Sequence, residues 1–168
     1  MMIGIALDAD EEWDSSRSWE KFVRTATEAA IAESAFPALA QSERPVEISV
    51  TLTGDEQVRA LNCEWRGKDK PTNVLSFPMQ GEDDLHLTNV AGPELLLGDI
   101  ILARGICEAE ARDKGVSVED HAAHLLVHGT LHLLGYDHED ESQAADMEAR
   151  EVRALARLGI ANPYEVTA

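Results

Sequence analysis

The sequence predicts an α+β domain with one mixed β-sheet covered by helices. Two observations lead to this class. Short apolar segments with strand character alternate with amphipathic helical segments in the first part of the chain, and the remainder is helical. The length of 168 residues and the hydrophobic content of 44% suit a single domain, residues 1–168, with a substantial core.

The strands are expected in four apolar segments. Residues 46–52 alternate between apolar and polar side chains, which is the period of a half-buried strand. The run at 74–77 is short and is closed by Pro78, and the run at 95–102 is apolar enough to be buried. A fourth strand is expected at residues 2–7.

Helical spacing of apolar residues predicts helices at 18–34, from 55 through 61, after 102 to Lys114, at 118–134 and at 141–158. Start and stop signals support these bounds. Thr53 and Glu56 have capping-box spacing, Ser117 and Asp120 cap the long helix, and Gly135 ends it. The acidic stretch 8–20 and the segments 64–73 and 79–93 are expected to be largely solvated loops.

The composition limits which cellular environments and binding partners suit this protein. The balance of 14 basic against 32 acidic residues gives a net charge of −18, which opposes nonspecific binding to nucleic acid. No apolar run reaches the ~18 residues of a membrane span, and the acidic start does not resemble a signal peptide. Cys63 and Cys107 lack CxxC spacing, so we expect buried, reduced thiols in a cytoplasmic protein.

The most informative stretch is the histidine motif at residues 128–138. His128 and His132 lie four residues apart, so on a helix both imidazoles share one face and can converge on one ion. His124 lies roughly 12 Å of helical rise from His132, too far to share that ion. The third ligand therefore requires a chain reversal, which Gly135 allows, and His138 follows three residues later.

Three histidine ligands leave a fourth position for water, the arrangement of a catalytic rather than a closed structural zinc site. We therefore predict one zinc ion per chain, used for hydrolysis. His124 is predicted to support the ligands from behind, and Asp137 either orients an imidazole or stabilises the turn.

The spacing HxxxHxxGxxH also occurs in metzincin proteases, where a Glu follows the first ligand. Here that position is Gly129, so the general base of a peptidase is missing. We expect Gly129→Glu to create no peptidase, and to impair hydrolysis by placing a carboxylate where the substrate approaches.

At these residues the sequence resembles the YbeY family of bacterial endoribonucleases. The motif HGxLHLxGYDH is matched throughout 128–138, and residues 66–78 match a basic loop leading to PTDVLSFP, with Asn73 in place of the usual Asp. The likeness extends from about residue 46 to residue 164 and includes the Asn-Pro-Tyr sequence ending at Tyr164.

The resemblance implies a zincin-like fold with the metal site on a central helix. It also implies hydrolysis of single-stranded RNA in 16S rRNA maturation and ribosome quality control, with the ribosome or its small subunit as partner and no small-molecule cofactor. It makes Arg66 catalytic, and a guanidinium suits a phosphodiester because it binds two oxygens at once. Lys68 and Lys70 are expected to hold the RNA backbone, giving residues 61–75 a local charge of +1.

Two alternatives to the endoribonuclease remain. The metzincin-like spacing would also suit a zinc metallopeptidase, against which Gly129 counts. The protein could instead be a non-catalytic ribosome assembly factor whose zinc stabilises the reversal after the long helix. A surface role for Arg66, paired with Glu64 or Asp69, is the corresponding alternative for that residue.

Overall fold

A computed structural model of the protein describes residues 3–13, 18–42, 44–85 and 93–164. In chain order the elements are β1 (Gly4–Ala9), α1 (Trp19–Ala32), a 3-10 helix (Pro37–Gln41), β2 (Val46–Thr53), α2 (Asp55–Arg66), β3 (Val74–Pro78), α3 (Glu82–Leu85), β4 (Leu95–Ala103), α4 (Arg104–Lys114), α5 (Val118–Leu133) and α6 (Glu141–Arg157). The predicted strands and long helices are all present, and their bounds differ by a few residues.

The four strands form one mixed sheet in the order β1-β2-β4-β3. β1 is parallel to β2 and β2 is parallel to β4. β3 lies at the edge and runs antiparallel to β4, with Val74 opposite Leu102 and Pro78 opposite Gly98. Pro78 is tolerated there because it ends an edge strand, where fewer backbone amides need a partner. The predicted α+β class with a mixed sheet is confirmed.

The core lies mainly on one face of the sheet. On that face Ile48, Val50, Ile100 and Leu102 are buried against the large hydrophobic cluster that also contains residues of α1 and α5. The other face carries a smaller cluster of Leu75, Ile101 and Ala103 with Val58 of α2. Helices therefore cover both faces, and the alternation along β4 divides its side chains between the two clusters.

The central helix is α5. It contacts α1, α4, α6, β3 and β4, and most of its side chains are buried. Its start is capped as predicted, because the Ser117 hydroxyl accepts a hydrogen bond from the backbone N–H of Asp120 at 3.0 Å. A helix held on so many sides is a rigid support for the side chains that it carries.

Several expectations at α2 were wrong. The helix continues to Arg66, so residues 64–66 are not part of a loop; the first stop signal is Gly67, with φ of 69°. The expected capping box does not form, because Gly54 is the N-cap and the Thr53 hydroxyl lies near Asp10 and Gln57. Cys63 is exposed, whereas Cys107 is buried as expected.

The two remaining loop expectations are only partly described. The segment 79–93 contains the short helix α3, and its residues 86–92 lie outside the described residues. In the acidic stretch 8–20, residues 14–17 are not described. The expected solvated loop is wrong at its start, because Asp8 and Ala9 belong to β1 and Trp13 is buried, and α1 begins at Trp19. Within the described ranges no helix is both long and apolar enough to cross a membrane.

Candidate metal centre and adjoining cleft

The three predicted metal ligands meet at the end of α5. His128 and His132 lie one turn apart on this helix, with their Nε2 atoms 3.0 Å apart. After α5 the chain reverses at Gly135, which has φ of 94°, and the N–H of Tyr136 donates to the carbonyl of Leu131 at 3.0 Å. The reversal brings His138 back, so that its ring centroid is 5.3 Å from that of His132.

The reversal is held from outside α5. The hydroxyl of Tyr136 accepts a hydrogen bond from the N–H of Ala35 at 2.9 Å, and the guanidinium of Arg150 lies over the Tyr136 ring at 4.9 Å. Asp137 accepts a hydrogen bond from the backbone N–H of His138 at 2.8 Å, which lowers the pKa of its carboxyl group. This geometry favours the turn-stabilising role for Asp137 over imidazole orientation.

The histidine set suits one zinc ion. Two nitrogens bound to the same zinc at about 2.0–2.1 Å cannot lie more than about 4.2 Å apart. One nitrogen of each histidine lies within 4.8 Å of the other two, so small side-chain rotations would meet that limit. Burial, together with the neighbouring His128 and His138, lowers the pKa of His132. The lowered pKa favours the neutral imidazole that a metal requires.

A buried carboxylate of α6, Glu151, sets the orientation of His128. Its Oε2 lies 3.4 Å from His128 Nδ1, and its Oε1 accepts hydrogen bonds from His124 Nε2 at 2.7 Å and the Tyr164 hydroxyl at 2.8 Å. Burial raises the pKa of Glu151, but its hydrogen bonds to the two histidines outweigh burial and hold the pKa at about 2. The carboxylate is therefore ionised and can only accept.

The contact with Glu151 favours one tautomer of His128. An ionised carboxylate 3.4 Å from Nδ1 favours a proton on that nitrogen, and the Nε2 lone pair then faces the other histidines. A carboxylate that holds a zinc-binding imidazole in this way is a recurring arrangement in zinc enzymes. His124 Nε2 lies 2.7 Å from Glu151 Oε1, so its predicted support of the ligands would act through this carboxylate. The sequence analysis did not identify Glu151, and for Tyr164 the only signal was the familial Asn-Pro-Tyr tail.

Arg66 lines the same cleft as the three histidines. The cleft has a volume of about 550 Å³, and its lining also includes Asn73, Val74, Ser76, Pro78 and the turn at 135–137. Arg66 Nη2 donates to the backbone oxygen of Ser76 at 3.3 Å, and its guanidinium lies 5.6 Å from the centre of the Phe77 ring. The cleft thus combines a cation for a phosphate with a set of metal ligands.

Lys68 and Lys70 do not line the cleft; both are exposed in the connection between α2 and β3. Asp69, between them, forms an ion pair with Arg59 of α2. Asp69 is therefore not the partner of Arg66, which rules out that version of the surface-charge alternative. Because Arg59 also pairs with Glu56, this ion pair leaves the local charge of residues 61–75 at +1.

Asn73, which replaces the usual Asp of the resembled family, takes part in a hydrogen-bond network beside the cleft. Its Nδ2 donates to Glu110 Oε1 at 3.0 Å, and the same oxygen lies 2.8 Å from His121 Nε2. Its Oδ1 accepts from the N–H of Val74 at 2.7 Å. The expected hydrogen-bonding role is present, and an amide fits here because an Asp would face the Glu110 carboxylate.

The α-carbon of Gly129 faces the sheet and not the cleft. A Cβ at this position would lie 3.1 Å from Ile100 Cγ2, in the core beneath α5. A carboxylate at residue 129 would therefore point into the core. The expectation that it would block the approach of the substrate was wrong. Close packing of α5 on β4 favours glycine here.

We accordingly expect Gly129→Glu to destabilise the fold by at least about 2 kcal/mol, because the added side chain overpacks the core and buries a charge. Urea unfolding would measure the change. Gly129→Ala is the control and should cost less, since it adds one methyl group near a flexible Ile side chain. Wild-type stability of the Glu variant would show that its carboxylate escapes into the cleft.

Comparison with known proteins gives a consistent result. A family model described as Endoribonuclease YbeY matches residues 7–159. Proteins named Endoribonuclease YbeY from Rhizorhabdus wittichii and Sphingopyxis alaskensis are 49% and 52% identical to this chain. The alignments cover 99% of both chains for the first protein, and 97% of this chain and 98% of the relative for the second.

A solved structure is also similar. The solution structure of TM1509 from Thermotoga maritima matches with a TM-score of 0.54 and 25% identity. The match covers 92% of this chain and 91% of the other. The family match over nearly the whole length, together with the similar fold, leads to one conclusion: the chain belongs to the YbeY family of endoribonucleases.

Proposed function

We propose that this protein is a zinc-dependent endoribonuclease specific for single strands, acting in 16S rRNA maturation and ribosome quality control. The observation that carries the proposal is the cleft in which Arg66 and the three histidines face the same space. Membership of an endoribonuclease family supports RNA as the substrate. The ribosome or its small subunit is the proposed partner, which puts the activity in the cytoplasm.

Each group of side chains has a separate role in the proposed reaction. His128, His132 and His138 would hold one zinc ion, which supplies a Lewis acid and lowers the pKa of a coordinated water. Arg66 binds the scissile phosphate and balances the charge that develops on it. Lys68 and Lys70 hold the strand outside the cleft, and Glu151 keeps His128 in its ligating tautomer.

A site of this kind suits RNA better than peptides. An amine leaves a peptide poorly unless it receives a proton, and residue 129, where the proteases carry Glu, is a glycine that faces the core. The cleft lining does contain the carboxylate of Asp137, but this group accepts the N–H of His138 in the turn. An alkoxide leaving from RNA can be stabilised by charge alone, which Arg66 and a metal provide. The metallopeptidase alternative is therefore not favoured.

The test of reaction class compares three substrates with the zinc-loaded protein. We expect metal-dependent cleavage of single-stranded RNA, little cleavage of a duplex of the same sequence, and none of an unstructured peptide. A recessed site cannot easily reach a backbone held in an A-form helix, whereas a flexible strand can enter. Peptide cleavage without RNA cleavage, on free strands and on ribosomal particles alike, would overturn the proposal.

The role of Glu151 gives a second prediction. In Glu151→Gln the amide can donate to His128 Nδ1, which would move the ring proton to the nitrogen facing the other histidines. We expect zinc affinity to fall by about 10- to 100-fold, the usual effect of losing a group that orients a ligand. Competition with a chromophoric chelator would measure the change, with circular dichroism to check folding.

Glu141→Gln is the matched control, because it removes the same charge from the exposed first turn of the same helix. It should bind zinc as the wild type does. Wild-type zinc affinity in a folded Glu151→Gln protein would show that the carboxylate is only a packing element of the core.

A further inference from the structure

The end of α2 presents a large aromatic side chain to solvent. Trp65 is 67% exposed, whereas the other tryptophans, Trp13 and Trp19, are 2% and 6% exposed and pack edge to face with each other. A tryptophan normally buries most of its large apolar surface. An indole left this accessible next to a functional cleft is available to bind a flat, apolar partner.

The surroundings of Trp65 indicate the charge of that partner. The next residue, Arg66, lines the cleft, and Lys68 and Lys70 are exposed in the connection that follows. Asp69 forms an ion pair with Arg59, which also pairs with Glu56, and residues 61–75 with Glu64 included keep a local charge of +1. In a protein with a net charge of −18, this group of cations favours a polyanion.

An aromatic face combined with adjacent cations is the recognition chemistry of single-stranded nucleic acid. Unpaired bases stack on aromatic side chains while lysines and arginines contact the phosphates. In a duplex both faces of each internal base are already covered by its neighbours. An exposed indole therefore selects strands whose bases are free.

We infer that Trp65 is a stacking platform for an unpaired nucleobase of the RNA strand whose phosphate binds at Arg66. The two residues are consecutive on α2, so their side chains point about 100° apart and the indole lies beside the cleft lining. A base that flanks the bound phosphate can reach it there. Lys68 and Lys70 bind the phosphates of the flanking nucleotides. This inference rests on the proposed RNA hydrolysis and adds a physical origin for its single-strand specificity.

The tryptophan distribution provides a direct probe of binding. Since Trp13 and Trp19 are buried, quenching of tryptophan fluorescence by a stacked base reports on Trp65. The zinc-loaded protein is titrated with single-stranded oligodeoxyadenylate, which has stacking bases but no 2′-hydroxyl, and with the corresponding duplex. We expect saturable quenching by the single strand and little by the duplex.

Variants then link binding to catalysis. Trp65→Ala should weaken oligonucleotide binding by about 5- to 150-fold, the usual range for one stacked base, and should raise KM for RNA by a similar factor with kcat little changed. Trp65→Phe should recover most of this loss, because phenylalanine keeps an aromatic face. Val116→Ala is the control: it shortens another exposed apolar residue, outside the cleft lining, and should bind and cleave as the wild type does.

The outcomes separate this inference from the proposed function. Unchanged affinity and KM in Trp65→Ala, or no quenching at saturating oligonucleotide, would overturn the stacking platform even if RNA is cleaved. Stacking-dependent binding without cleavage of any RNA would support the platform and overturn the proposed hydrolysis. A loss in Trp65→Ala that Trp65→Phe does not recover would exclude an aromatic contact.

Discussion

His128→Ala, His132→Ala and His138→Ala are each expected to release zinc and to abolish RNA cleavage. Three ligands are the minimum of a catalytic zinc site, so two remaining imidazoles would hold the ion weakly. Changing a residue that only orients a ligand, such as Glu151, lowers zinc affinity by about 10- to 100-fold, and the loss of a ligand should lower it further. Elemental analysis of each purified variant would measure metal content, and RNA cleavage would measure activity.

His138 is the decisive member of this set. It is exposed and lies on the reversal after α5, so its removal leaves the buried core intact. We expect His138→Ala to fold normally and still lose its metal. His121→Gln is the control, because His121 interacts with Glu110 and lies outside the three-histidine set, so metal content should persist. Full zinc occupancy in His138→Ala would remove His138 from the ligands.

Arg66→Ala is expected to reduce kcat for RNA cleavage by about 100- to 1000-fold while zinc content is unchanged. This is the usual effect of removing one donor that stabilises charge in a transition state. Its contacts with the Ser76 backbone oxygen and the Phe77 ring hold the guanidinium at the cleft and leave several of its five N–H donors for a phosphate. Single-turnover cleavage of a single-stranded RNA would measure the effect.

Two further variants make the Arg66 prediction specific. Arg66→Lys should restore only part of the rate, because an ammonium keeps the charge but lacks the planar fork that binds two oxygens. Arg153→Ala removes the same charge from an exposed position on α6 and should leave cleavage unchanged. Equal rates for wild type and Arg66→Ala would reduce Arg66 to a surface charge, and loss of zinc would give it a structural role.

Metal dependence and Arg66 dependence also bear on the assembly-factor alternative. A zinc that only stabilises the reversal after α5 would be required for folding, whereas Arg66 would not be required for any cellular role. Normal ribosome maturation in cells that carry Arg66→Ala, together with absent RNA cleavage by the purified variant, would favour that alternative.

The prediction of α2 from sequence was wrong where local signals were ambiguous. Residues 64–66 were expected in a loop because the breakers Gly67 and Pro71 follow, yet they continue the helix since no residue before Gly67 breaks it. Thr53 has capping-box spacing, but its hydroxyl lies 2.9 Å from Asp10 Oδ2, a residue distant in sequence, and Gly54 is the N-cap instead. Tertiary partners thus displaced the local pattern.

The residues that orient the candidate metal site were beyond sequence reasoning for a similar reason. Glu151 lies 23 positions from His128 in sequence, on another helix, and no periodicity marks it as different from the other acidic residues of α6. Tyr164 joins the same carboxylate from the end of the described chain. The ion pair between Arg59 and Asp69 is likewise visible only in the folded protein.

The sequence by itself determined the α+β class, the succession of strands and helices along the chain, and the three histidines of the candidate site. These follow from the period of apolar residues, the four-residue spacing on one helix face and a glycine that permits reversal, all of which act between near neighbours. Only the tertiary structure decided how the strands are arranged within the sheet and which group lies beside His128. It also decided the direction in which Gly129 faces and the exposure of Trp65. Each of these depends on which distant segments pack together, and packing is a property of the whole fold.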